Sequence, residues 1–330
     1  MGVATSMVTI LFSAAWLMPA PSGTSVARAS FPVQDFAPTT PQRMAEKRPN
    51  PMVSTLAEDA RELEDMQTAS GPQDGGLDRA LDYDLGAVIK GYAGVPRLNL
   101  VSLPADLSAI REIDERKAVF FKSVLPLVLQ VNEQIVEDRT RLWDLHAQQK
   151  TGAELNALDR LWLAVMAERY GAKRGDIQGL LDRHDVVPPS LALAQAATES
   201  AWGTSRFVRE GNAMFGEWTF AEKHKGIVPN GRETGKSHRV RAFDSLYESV
   251  LSYVTNLNKH RAYKEFRSQR AEMRAQGQLV DGMLLAGSLH RYSERGAAYV
   301  AEIRSIISGN DLDLLDTAEL HGSGTYEPVI

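Results

Sequence analysis

Apolar positions in "AELNALDRLWLAVMAERYG" fall at Leu155, Leu158, Leu161, Trp162, Val165 and Met166. That is the spacing of an amphipathic helix, and Gly171 stands where such a helix ends. Upstream, "RKAVFFKSVLPLVLQVNEQIVEDRTRLWDL" predicts a long helix that Pro126 kinks or divides. "VPRLNLVSLP", Val95 to Pro104, reads as extended chain. "HDVVPPS", His184 to Ser190, breaks the pattern, and Ser190 is the expected N-cap of a helix running to about Trp202, with Gly203 as terminator. Further helices are expected at 245–258, 262–275, 279–290 and 297–308. Between Met214 and Phe243 the chain is polar and lacks helical period, which predicts a small sheet or hairpin. There is no internal repeat, and the class is α+β, mostly α.

Ahead of these elements the pattern changes. Residues 30–80 are rich in Pro, Gln, Glu, Asp, Gly and Ser and read as a disordered linker, with at most a short charged helix at 56–66. "MVTILFSAAWLM", Met7 to Met18, is an uncharged run of signal-peptide length followed by the A-x-A site Ala27-Arg28-Ala29, so residues 1–29 are expected to be an export signal. The n-region lacks Lys and Arg, which leaves an uncleaved anchor or a misassigned start as alternatives. The expected organisation is signal 1–29, linker 30–80, helical region 81–185, catalytic domain 186–316 and flexible tail 317–330.

Composition excludes several classes. The 330 residues carry a net charge of -5 and no basic helical stripe, which argues against nucleic acid as a partner. With no cysteine there is no disulfide, thiolate nucleophile or cysteine-ligated zinc. The seven histidines are scattered, with no H-E-x-x-H helix, no Walker loop and no G-x-G-x-x-G, so neither metal nor organic cofactor is expected. Protein partners are not legible.

The chemistry concentrates in "LAQAATESAWGTSRFVREGNAMFGEW". Gln195, Glu199 and Trp202 share a helix face. Glu199 sits in the last helical turn, where the macrodipole and apolar neighbours both favour a protonated carboxyl, as a general acid requires. On these grounds alone, a glutamate capped by an arginine or exposed at a helix end is the stronger reading, since most glutamates are surface residues.

The same segment resembles the signature of bacterial flagellar-rod and autolysin-type glucosaminidases, glycoside hydrolase family 73: Ala-Gln-(x)-Ala-x-Glu-Ser-x-Trp-Gly-x-Ser, then Asn-x-Phe-Gly. From Val119 to Leu312 the chain resembles the Bax-type subgroup, with "SYVTNLNKHRAY" and "YSERGAAYVAEIRSII" as supporting segments. The resemblance implies a lysozyme-like catalytic domain with a small β-lobe, preceded here by the helical region. It implies Glu199 as general acid, with Gln195, Ser200, Trp202, Asn212 and Phe215 lining or shaping the cleft, Trp202 and Phe215 offering faces to sugar rings. Tyr292 and Tyr299 match the two tyrosines of a later segment, the first orienting an N-acetyl group or water, the second packing. A local Glu294–Arg295 ion pair is expected beside them.

Glycosidases generally pair two carboxyl groups. Glu217, Glu222, Glu233 and Asp244 follow Glu199. Glu233, upstream of "SHRVRAF", best matches the family's hairpin acid, with a solvated loop glutamate as the other reading; Asp244 reads as a helix-start residue. The expected activity is cleavage of the β-1,4 bond after GlcNAc in peptidoglycan glycan strands, in the periplasm or cell envelope. A lytic transglycosylase and a non-catalytic wall-binding module are the rivals.

Overall fold

The computed structural model describes residues 81–322 apart from residues 231, 233, 234 and 236. The expected signal, linker and short charged helix, and Glu233, lie outside the described residues.

Helix α1 (Leu85–Ile89) is capped by the Asp84 carboxylate, and the extended run after it places Val95 in a parallel bridge with Leu320. Helix α2 (Ile113–Lys150) continues through Pro126. A proline inside a helix cannot donate to the carbonyl four residues back. That carbonyl, of Lys122, instead accepts from the Tyr83 hydroxyl at 3.2 Å. The proline costs roughly 3 kcal/mol. Burial of Phe120, Phe121, Val124, Leu125, Leu127, Val128 and Val131 contributes roughly 1.5–3 kcal/mol apiece. Packing therefore outweighs the break that local chemistry predicts.

At its far end α2 contributes Leu142 and Leu145 to a small second core. The other members are Leu163, Met166 and Tyr170 of α3 (Ala157–Tyr170) and Ile177, Leu180 and Leu181 of α4 (Ile177–Arg183). Helix α3 ends at left-handed Gly171, as the sequence predicts.

Helix α5 (Pro189–Ser200) is mostly apolar, and residues 189–197 are buried. Leu191, Ala192, Leu193, Ala194, Ala196 and Ala197 are completely covered, by α2, α9 (Gly282–Leu285), α10 (Ala297–Gly309) and the 3-10 turn Leu312–Thr317. The expected Ser190 cap is corrected. Pro188 is the N-cap residue and has no side chain to cap with. Asp316, 126 residues away, accepts from Ser190 N and Ser190 Oγ, each at 2.8 Å, and also from Gly282 N at 3.0 Å. One carboxylate thus closes the starts of α5 and α9. The turn leading into α5 is anchored by buried Arg270, which donates to the carbonyls of Arg183, Asp185 and Val186. Burial alone would raise the Asp185 pKa, yet Arg270, Arg139 and Arg274 together hold that carboxyl below its ordinary value.

Between α6 (Arg206–Gly211) and α7 (Leu246–Lys259) lies a three-stranded antiparallel sheet in the order β1 (Trp218–Thr219), β3 (Arg239–Arg241), β2 (Gly226–Ile227). Trp218 pairs with Val240, and Gly226 with Arg241. Gly211 lets this lobe approach α6, since a Cβ there would stand 2.8 Å from Ala242 Cβ and Ile227 Cδ1. The cap of α7 is Ser245, whose hydroxyl accepts from Glu248 N, rather than the neighbouring Asp244. Helix α8 (Lys264–Ala275) follows α7 through the 3-10 turn Arg261–Tyr263, and α9 runs into a second such turn at Ala286–Leu289.

The main core draws on both sides of residue 185, from Leu81 to Leu320, so the expected helical region and catalytic domain share one interior. The expected free tail is corrected at its start. Leu320 is buried, Val95 N donates to Glu319 O, and His321 N donates to Val95 O at 2.7 Å.

Candidate active site

The sequence Glu-Ser-Ala-Trp-Gly ends α5 in a sharp reversal. Ala201, Trp202 and Gly203 have φ of 51°, 58° and 76°, three left-handed residues in succession. Two of them carry a Cβ, which costs roughly 1–2 kcal/mol each in this region. The surroundings hold them there. Trp202 N donates to Ala197 O at 2.8 Å, and Ser205 N to Ser200 O at 3.0 Å. Ser200 Oγ donates to Ala196 O and accepts from Gly203 N. The Trp202 ring packs edge-on against Phe120 and Phe121, at 5.9 and 5.5 Å, with the Lys117 ammonium 5.4 Å from its centre. The reversal stops the helix directly beyond Glu199, the one carboxylate of α5, which keeps partial solvent contact while its neighbours Gln195 and Ser200 are fully buried.

Four tyrosines, Tyr253, Tyr263, Tyr292 and Tyr299, gather near that carboxylate. Tyr253 of α7 donates to Gln195 Oε1 at 2.7 Å, and Gln195 Nε2 donates to the Tyr299 hydroxyl at 2.8 Å. The Tyr299 proton is then free to be turned toward Glu199, whose carboxyl pKa the Tyr299 hydroxyl lowers. Tyr292 stacks on Tyr299 at 5.4 Å, and Tyr263 lies 5.8 Å from Tyr292. Burial pushes the Glu199 pKa from 4.5 up to about 7, with the Glu302 charge adding to the rise; the Tyr299 hydrogen bond and the Arg295 charge oppose it without reversing it. The predicted direction therefore appears, with burial as the main cause. Burial, with the Glu199 charge adding to it, holds Tyr253, Tyr292 and Tyr299 well above the ordinary phenol range, so all three stay hydrogen-bond donors.

Other sequence-selected residues support the site. Gln195 is buried and orients Tyr299. Ser200 uses both hydrogen-bonding roles inside the reversal. Phe215 is buried with its face on Tyr253 at 3.9 Å, and the half-buried Trp202 packs edge-on against α2. Asn212 is a left-handed helix cap whose amide donates to Phe243 O, tying α6 to the β-lobe. Arg295 pairs with Glu302 of α10 at 2.6 Å.

Glu217, at the entrance to β1, is the described β-lobe carboxylate placed closest to this chemistry. Its Oε2 accepts from Ser252 Oγ at 2.6 Å and lies 3.7 Å from Arg241, and its charge reaches Tyr263, as does that of Glu199. Asp244 is instead engaged by Lys225 at 2.5 Å. The sequence reading passed over Tyr253, Tyr263 and the aromatic pair Trp218–His238, stacked at 4.3 Å on the β-lobe. Tyr253 and Tyr263 lie within "SYVTNLNKHRAY", so the signal was present, but only folding places their hydroxyls. Among the described residues no group of three or more His, Asp or Glu side chains could hold a metal.

The glucosaminidase family, described as mannosyl-glycoprotein endo-beta-N-acetylglucosaminidase, matches residues 176–312, the stretch that holds Glu199 and all four tyrosines. "Protein bax" of Escherichia coli (strain K12) is 35% identical over 204 residues, covering 60% of this chain and 70% of the relative. No solved structure matches the chain. The fold, mostly helical with a three-stranded lobe, is that of a lysozyme-like glucosaminidase domain. With one carboxyl kept ready to hold a proton inside the matched stretch, the chain belongs to the Bax-like glucosaminidase-domain proteins, a glycosidase-type family whose substrate is a glycan.

Proposed function

We propose that this protein is an N-acetylglucosaminidase that cleaves the β-1,4 bond after GlcNAc in peptidoglycan strands, with Glu199 as proton donor. The observation that carries the reading is the Glu199 carboxyl, raised to about 7 by burial and held by Tyr299. Near neutrality a substantial fraction is protonated and can give its proton to the leaving glycosidic oxygen as the sugar takes on oxocarbenium character. The Tyr299 hydroxyl then donates to the carboxylate left behind, which stabilises the product of proton transfer. The nucleophilic half of the reaction falls to a β-lobe carboxylate acting directly or through water, Glu217 or Glu233, or to the substrate's own N-acetyl oxygen. Trp218 and the exposed Phe220 offer aromatic surface on the lobe. A cell-envelope location belongs to the same reading and is supported by the Met7–Met18 run and the Ala27-Arg28-Ala29 site.

Mass spectrometry of fragments released from purified peptidoglycan by the protein and by Glu199→Gln tests this. Reducing GlcNAc ends that vanish in the variant are expected. Anhydro-MurNAc ends would move the protein to the transglycosylases, and binding without release by either form would make it a wall-binding module.

A further inference from the structure

A cavity of about 380 Å³ opens between the 3-10 turn Arg261–Tyr263, the start of α8 and the residue before Tyr292, lined by Arg261, Lys264, Glu265, Ser268 and Arg291. Arg261, Lys264 and Arg291 are exposed, and none takes part in any of the described ion pairs or side-chain hydrogen bonds. Glu265 is the single acid of the cavity, and it lies 3.9 Å from His290. The cavity therefore presents three cations against one acid, at a place where like charges repel and a ligand anion would relieve them.

Its position gives the cluster a use. Arg261 and Lys264 flank Tyr263 in sequence, and Arg291 precedes Tyr292. The rings of Tyr263 and Tyr292 are 5.8 Å apart, and Tyr292 stacks at 5.4 Å on Tyr299, whose pKa the Glu199 charge raises. The outer side of the tyrosine stack thus carries the cations, and its inner end holds the acid. Two ring-to-ring steps link Tyr263, which lies between Arg261 and Lys264 in sequence, to Tyr299 beside Glu199. The bare sugar backbone of a glycan strand offers hydroxyls and neutral amides. Its negative charge resides in the carboxylates of the peptide side chains, and paired guanidinium groups suit carboxylates through forked hydrogen bonds.

We propose that the Arg261–Lys264–Arg291 cavity is an anion subsite that receives peptide side-chain carboxylates of the strand being cleaved. This rests on the glucosaminidase reading for its substrate but not for its test. The full chain and its Arg261→Gln/Arg291→Gln variant are compared by co-sedimentation with intact sacculi and with a polymer made from them by converting their carboxylates to amides. The expected result is that the parent prefers sacculi, that this preference falls by on the order of tenfold in the variant, and that Arg261→Lys/Arg291→Lys restores most of it. Raising salt should erode the parent's preference, because exposed charges are screened. Equal retention of the parent on both polymers, or a preference that survives in the glutamine variant, overturns the subsite. Fragment release from the same two polymers is scored separately. Failure to release anything from either removes the glucosaminidase reading, while the sedimentation ratio still decides the subsite.

Discussion

Gln195 Nε2 donates to the Tyr299 hydroxyl at 2.8 Å across 104 residues of sequence, and this bond fixes which way the Tyr299 proton points. Because Tyr253 donates to the other end of the same amide, Gln195 can present only its NH₂ to Tyr299, leaving the phenol proton for Glu199.

Tyr299→Phe removes that donor. The hydrogen bond lowers the Glu199 pKa, so its loss should move the alkaline limb of the pH–rate profile upward. We expect kcat to fall by about tenfold, since the carboxylate formed by proton transfer loses its partner. A profile whose alkaline limb stays in place would show that Tyr299 does not bond the working carboxylate.

Glu199 also couples activity and stability to pH. Its folded pKa of about 7 exceeds the ordinary 4.5, so the folded state binds the proton more tightly than the unfolded chain. The stability from this group is full below about pH 4.5 and is lost as pH rises through about 7. Glu199→Gln should therefore be more stable than the parent at pH 8, by at most about 3 kcal/mol, with little difference at pH 4. Activity of the parent should decline above pH 7. Thermal melts at the two pH values check the first statement, and equal differences at both would contradict it.

Gly203→Ala attacks the reversal twice. The position needs φ of 76°, and a Cβ there would lie 2.6 Å from Leu103 Cδ1 and 2.7 Å from Leu107 Cδ2. A loss of about 3 kcal/mol in urea unfolding is expected. A neutral result would mean that the turn relaxes into another conformation.

Asp316→Ala removes the acceptor of Ser190 N, Ser190 Oγ and Gly282 N and should cost about 2 kcal/mol. Burial raises the Asp316 pKa to about 6 despite hydrogen bonds from Ser190 and Gly282, so its contribution also titrates. Parent-minus-variant stability measured from pH 4 to pH 8 should therefore change through pH 6. A flat difference would argue that the carboxylate is not the cap.

Local order was legible in the chain. The periodicity of residues 155–166, the Gly171 stop, the helices after residue 245 and the short sheet before it all depend on side chains a few positions apart, where spacing alone decides which face is apolar. The signature around Glu199 likewise marked the acid, because its neighbours in sequence are also its neighbours on the helix. Tertiary structure decided everything that needs a distant partner. Pro126 stays inside α2 because Tyr83 serves the orphaned carbonyl and the core outweighs the break. Ser190 is not a cap because Asp316 arrives from the other end of the domain. Trp202 and Phe215, aromatic and therefore candidate sugar platforms by type, pack against Phe120, Phe121 and Tyr253. Glu199 acquires its raised pKa from burial among residues contributed by α7 and α10 as much as by its own helix. Spacing along the chain fixes which residues can share a face; which groups desolvate a carboxyl or donate to it is set only when segments a hundred residues apart pack together.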